Sequence, residues 1–406
     1  NLKVGGSVAA GTNTLVGGAD LSIDTMTVLN SQVIFDTGSV VNVGTMSVTG
    51  TNALTASTLT FTGSGLGMAQ GSTLTWTASQ VTVGAAGKVA IGSNAVVTLT
   101  FGRIDLPGSS GLELGSGSRL RVAGSTLAYA LGVGTLTVPS GAVVESATTT
   151  RLNILGDLTM QAGSQLTHTA NGSAKSYVVD LNVTGNFDLQ SGATVDVSSA
   201  GFVYGAYSAN GYGPGAGRSQ GGGAYGGDGG RGYSDIGGGA YGSLSDPSDL
   251  GSSGGSGNNS YGGRGGGAAI LTVGGTLTLD GTINADGGSS ADPTGGSYMG
   301  GGGGSGGTVN ITAATLTGSG SVRGNGGRGG DGNYDGGGGG GGHIAIRAVS
   351  SGNPDLLAFS ASGGVGAYPN SNGGSGTIYT RNPLQTSSFN LKVGGSVAAG
   401  TNTLVG

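Results

Sequence analysis

The sequence contains no cysteine, few prolines, a single tryptophan and very little charge, and each shortage excludes something. Without cysteine there is neither a disulfide framework nor a thiolate metal site, and the redox compartment is left open. Charged residues make up 9% of the chain, against roughly 25% in an ordinary soluble protein. Lys and Arg number 15 and are scattered along the chain, and the formal net charge is -5. No basic stripe exists to neutralise phosphates, so nucleic acid is not an expected partner. No apolar run approaches the ~18 residues of a membrane-spanning helix. A helical period is nowhere sustained, Thr and Val dominate, and glycine would break helices throughout.

What the chain does have is glycine, 96 residues of it, and short apolar alternations. From Asn1 to about residue 200 the pattern is Leu21-Ser22-Ile23, Met26-Thr27-Val28, Val33-Ile34-Phe35, Leu74-Thr75-Trp76 and many more of the same kind. Apolar residues two apart with Thr, Ser or Asp between them are strands with one inward and one outward face. The runs are three to five residues long and are separated by turns such as Ala162-Gly163-Ser164 and Ser191-Gly192-Ala193. Two or three such strands make a coil of roughly 20 residues. The expected fold is therefore all-β, a parallel, right-handed β-helix or solenoid, with an antiparallel sandwich array as the competing architecture.

Residues 201–342 differ in composition, holding 56 of the 96 glycines and nine of the 13 tyrosines. Strand-like pieces return between the glycine tracts, at Ala269 to Val273, Thr308 to Ile311 and Ile344 to Ile346. We read this region as the same solenoid carrying long Gly/Tyr-rich loops, followed by final coils over 343–389. The tracts admit two states: flexible loops, or extended polyglycine-II-like helices that pack side by side and satisfy one another's backbones.

Residues 1–17 and 390–406 are identical, NLKVGGSVAAGTNTLVG, a step of 389 residues from Asn1 to Asn390. The expectation is a tandem or head-to-tail array in which 390–406 opens the next identical repeat. Its seam would be Leu2, Val4, Val8 and Leu15, with Leu391, Val393, Val397 and Leu404 as their counterparts. In this reading, residues 390–406 stack on the strand around Thr377 to Thr380 and the core runs on without interruption.

The stretches Gly306 to Thr312, Leu316 to Val322 and Gly340 to Ile346 resemble the Gly-rich β-helical repeats of very large bacterial surface and extracellular proteins. The strand ladder is similar to those of filamentous-haemagglutinin-like adhesins and autotransporter passengers. The glycine tracts resemble, in composition only, the glycine-rich domain of anaplastic-lymphoma-kinase-type receptors. The likeness implies an exported, extended structural or adhesive protein at the cell surface or outside it. It brings no catalytic residues. A single long repeat, copied identically, departs from the short and diverged coils of those families.

Candidate chemistry is sparse. The two histidines, His168 and His343, have no ligand set beside them in sequence, and His168, alternating with threonines, is expected to face outward. Pairs such as Asp20 with Asp24, or Asp180 with Asp188, are what a polysaccharide-cleaving β-helix would use, although isolated Asp at turns ordinarily caps its own backbone. No enzyme activity and no cofactor is expected. Gly326 to Asp331 partly matches a calcium-binding repeat, so Asp331, Asp335 and Asp228 are the Ca²⁺ candidates. Tyr207, Tyr212, Tyr225, Tyr233, Tyr241 and Tyr261, spaced by glycine, are candidates for lateral contact between neighbouring molecules or for stacking on surface glycans. The expected partners are therefore further copies of the chain, and glycans second.

Overall fold

The structure, a computed structural model, describes residues 1–5, 13–18, 20–84, 87–105, 111–123, 133–233, 236–293, 298–367, 369–383 and 389–394. Strands make up 47% of the described residues. Among the described residues there is no α-helix, only a 3-10 turn at Pro354–Leu356. The architecture is all-β and solenoid-like, with long parallel ladders. The chain divides into two compact units.

The first unit comprises Asn1–Thr167, Leu181–Ala193 and Val273–Gly275. Its strands pair in parallel with partners one coil further on: Asp20 with Val40, Thr51 with Thr73, Thr73 with Val96, Val96 with Arg119 and Arg119 with Val143. The spacing of those partners is the coil length, and it agrees with the length read from the sequence. In-register stacking puts like on like, so Leu74, Val97, Leu120 and Val144 form one buried apolar column. The outward positions carry Thr75 and Thr98 at the same level.

Several strands are longer than the short runs read from the sequence, notably Thr51–Met68. The corners there are taken inside the strand rather than by breaking it. A register shift between Val43 and Thr45, and Gly65 at φ +88°, let the chain bend while its ladder continues. At another corner the turns themselves stack. Gly117 N–H donates to Ser140 O, Gly141 to Gly163 O, and Gly163 to Gly192 O, at 2.9 to 3.2 Å. The interior also holds a small cavity of about 30 Å³, lined by aliphatic side chains and Met160. With no polar group to hold water, it is a packing defect and not a binding site.

The second unit comprises His168–Asp180, Thr194–Thr272 and Thr276–Gly406. Its ladders are again parallel: Val195 with Ile283, Ile283 with Val322 and Val322 with Phe359 on one side. On another, Ile344 pairs with Val309 and Ile378. The coils are longer here, since Thr282 finds its partner only at Ser321 and Thr308 only at His343. The coil from Thr194 to Thr282 contains the first large glycine-rich excursion.

Those excursions are ordered by hydrogen bonds from tract to tract with a three-residue period. Along 302–307, Gly302 and Ser305 donate to Gly255 and Ser252. Gly303 and Gly306 donate to Gly337 and Gly340, and Gly304 and Gly307 to Gly288 and Ala285. Along 337–342 the rule repeats: Gly337 and Gly340 donate to Gln220 and Gly223, Gly338 and Gly341 to Ser371 and Gly374, Gly339 and Gly342 to Gly327 and Gly324. All twelve bonds lie between 2.7 and 2.9 Å. Each tract thus faces three neighbours in rotation, which accounts for buried backbone that has no side chains to shield it.

Candidate functional site

The duplicated segment enters an antiparallel strand pairing. Asn390–Gly394 lies against Gly376–Arg381, with Leu391 opposite Tyr379 and Val393 opposite Thr377. The counterpart in the first copy behaves differently: Leu2–Gly5 pairs in parallel with Met26 to Leu29. The sequence reading placed this segment at Thr377 to Thr380, and it does lie there, but folded back instead of continuing the parallel ladder.

Of the seam residues, Val4 is buried and Leu2 half-buried. Leu391 packs on a small cluster of Leu244, Ala345 and Tyr379. Val393 and Leu15 are 47% and 69% exposed. Val8, Val397 and Leu404 lie outside the described residues.

The tyrosines fall into three settings. Tyr225 is fully buried and has no surface to offer a lateral neighbour or a glycan. Its hydroxyl bonds Thr308 Oγ1 at 2.7 Å and accepts the Asp249 N–H at 3.2 Å. Burial pushes this phenol's pKa far up. Tyr241 turns inward beside it, its hydroxyl donating to Leu250 O at 2.5 Å. Tyr207, Tyr212, Tyr233 and Tyr261 are exposed. Tyr233 meets Tyr334 edge to face at 4.9 Å. Tyr261 is sandwiched between Tyr204 and Tyr207, with ring centroids at 4.7 and 4.3 Å.

Both histidines are inside. His168 was expected to face outward. The alternation within Gln165–His168 instead puts Leu166 and His168 on the buried face and Thr167 between them. Its Nε2 accepts the Ala268 N–H at 3.2 Å, so Nδ1 carries the proton and donates to Thr169 O at 2.9 Å. His343 is the mirror case: Nε2 donates to Tyr241 O at 3.0 Å and Nδ1 accepts from Thr377 Oγ1 at 2.5 Å. The Tyr225 ring stands edge-on to it at 4.7 Å.

Desolvation lowers the pKa of His343, against smaller upward pulls from the Tyr241 carbonyl and Asp249. Folding therefore keeps this imidazole neutral, while the unfolded chain takes up a proton near the ordinary value of about 6.5. The contribution to stability is complete above that pH and declines as pH falls below it. The urea midpoint should drop further between about pH 7.5 and 5.5 in the native protein than in His343→Gln. Equal drops would remove His343 as the cause.

The Ca²⁺ candidates are not gathered. Among the described residues no three His, Cys, Asp or Glu side chains come together in a way that could hold a metal ion. Asp228 accepts the Ala240 N–H at 2.7 Å and Asp335 the Gly332 N–H at 3.1 Å. The Asp331 N–H donates to Asp292, whose carboxylate also pairs with Arg328 at 2.6 Å. Asp20 and Asp24 are exposed on one strand, and Asp20 has Val40, not an acid, across the ladder.

Asn171 is a residue that sequence reasoning passed over. Its side chain accepts from Ser176 and Tyr177 N–H and donates to Tyr177 and Ala200 carbonyls, fastening one loop to the coil above. An Asn before a Gly was the only signal, and in this chain that signal is common.

No protein-family pattern matches the chain, and neither a curated protein nor a solved structure matches it.

Proposed function

We propose that this chain is the repeat unit of a structural fibre or matrix outside the cell, built from right-handed parallel β-helical repeats joined head to tail. The glycine tracts, in this reading, are polyglycine-II-like bundles that brace the coils. The observation that carries the proposal is the identity of 1–17 and 390–406, combined with ladders that grow by adding parallel coils. A one-directional stack has an open end whose unpaired edge invites the next strand. A second copy of the opening strand provides that strand with the right register. The likeness to β-helical bacterial surface proteins supports an exported setting.

Within this reading, Asn390–Gly394 exchanges its antiparallel pairing for a parallel one when a complete further repeat follows it. In a chain of two complete repeats it should take the parallel setting of Leu2–Gly5. Electron microscopy of that two-repeat chain should show one uninterrupted rod of doubled length. Adding Val4→Pro and Val393→Pro should break the rod at the joint, because proline cannot donate to a ladder. Two separately tumbling bodies in the unmodified chain, or unbroken rods in the variant, would defeat the proposal.

The second reading is a surface adhesin with a β-helical stalk and glycan-binding Gly/Tyr loops, and the exposure of Tyr212 and Tyr233 favours it. Glycan binding that Tyr212→Ala and Tyr233→Ala abolish would support it. Tyr225 and Tyr241 are unsuitable for that test because they are internal.

A further inference from the structure

The Tyr204–Tyr261–Tyr207 stack has no role in the fibre joint, and its geometry suits a chemistry of its own. Tyr261 and Tyr207 lie nearly parallel, with an interplanar angle of 14° and centroids 4.3 Å apart. The near-parallel stack lays the carbons of one phenol ring over those of the other. Both rings are open to solvent, at 42% and 49% exposure. Glycan stacking is a poor use of Tyr261, since Tyr204 and Tyr207 already cover its two faces.

The backbone holds the pair in place. Ser208 N–H donates to Gly257 O and Ser256 N–H to Ala209 O, both at 2.9 Å. Ser256 Oγ donates to Gly205 O at 2.9 Å. The segment carrying Tyr207 is therefore fastened on both sides of the ring, and the segment carrying Tyr261 just before it. A freely rotating surface pair would meet only in passing.

We propose that Tyr207 and Tyr261 form an oxidative cross-linking site. There a one-electron oxidant of the haem peroxidase and hydrogen peroxide class joins them into an intrachain dityrosine. Each phenol loses one electron and one proton, giving two phenoxyl radicals whose unpaired spin reaches the ortho carbons. A carbon–carbon bond forms between one ortho carbon of each ring. The two ortho hydrogens then leave as protons while the oxygens regain theirs, restoring both phenols. The net loss of two electrons and two protons reduces one hydrogen peroxide to two waters. The product staples residues 204–209 to 257–261 across the edge of the glycine lattice, a covalent brace in a chain that has no cysteine to make one.

The other tyrosines provide internal comparisons. Tyr233 and Tyr334 are exposed but meet at 77°, edge against face, which keeps their ortho carbons out of register. Tyr212 is as exposed as Tyr261 and belongs to no ring pair among the described residues.

The test treats the dilute, full chain with horseradish peroxidase and hydrogen peroxide, then reads dityrosine fluorescence and the linked peptides by mass spectrometry. The expected product is a monomer carrying a Tyr207–Tyr261 peptide pair lighter by two hydrogens. Tyr261→Phe keeps the stacked ring and should lose that product, whereas Tyr212→Phe should retain it, with circular dichroism confirming the fold of both. The proposal is overturned if the monomer lacks the Tyr207–Tyr261 pair, if Tyr261→Phe keeps its fluorescence, or if the bonds formed link separate chains.

Discussion

Gly339→Ala should unfold the second unit at a markedly lower urea concentration, while Gly324→Ala, in a neighbouring tract, should leave it unchanged or slightly raised. The contrast follows from where a methyl group would go. At Gly339 a Cβ would stand 2.0 Å from the Gly304 carbonyl oxygen and 2.4 Å from its carbon. The obstacle is backbone, already committed to the lattice through the Gly327 N–H to Gly304 O bond at 2.8 Å. Neither tract can yield without breaking bonds to its other two neighbours. We expect a loss of at least about 3 kcal/mol, the upper range for overpacking.

At Gly324 the nearest atoms are 3.6 and 3.8 Å away, ordinary contact. There Ala restricts the unfolded chain more than the native one, a gain of about 0.4–1 kcal/mol. Near-ultraviolet dichroism is a fitting probe, because nine of the 13 tyrosines lie in 201–342. Similar midpoints for the two variants would show that the tract-to-tract bonds do not hold the unit together.

Trp76→Ala should be the most damaging single truncation in the first unit. Trp76 is fully buried, in register with Leu54 on one coil and Leu99 on another. Phe61 meets its ring edge-on at 5.8 Å and 83°. Removing the indole deletes the largest side chain of the stack and leaves a cavity that rigid ladders on both sides cannot close. The expected cost is about 3–5 kcal/mol, measured by far-ultraviolet dichroism in urea. Trp76→Phe, which keeps an aromatic ring in the column, should lose clearly less. A cost below about 1 kcal/mol for Trp76→Ala would mean that the neighbouring coils collapse into the gap.

The alternation of Leu74-Thr75-Trp76 and its many counterparts made the all-β class and the short coil legible in the first half, since a period of two needs only local residues to express it. The glycine turns at Gly163 and Gly192 were legible for the same reason. His168 was legible in principle. Its phase with Leu166 points it inward, since strand parity and not the polar character of the side chain sets the face.

Other features had no local signature. Tyr225 and Tyr261 both follow or precede glycines, yet one is sealed against His343 and Thr308 and the other is exposed in a ring stack. Leu-Lys-Val-Gly pairs in parallel at 2–5 and antiparallel at 391–394. An identical sequence therefore does not by itself fix the direction in which its strand pairs.

By itself the sequence determined that the chain makes stacked strands, that glycine gathers in 201–342, and that its opening segment recurs. Only the tertiary structure decided which glycine tract faces which. A tract without side chains carries no pattern to read, and its partners are set by carbonyls and N–H groups brought together from distant parts of the chain, as Gly337 is with Gln220 and Gly340 with Gly223.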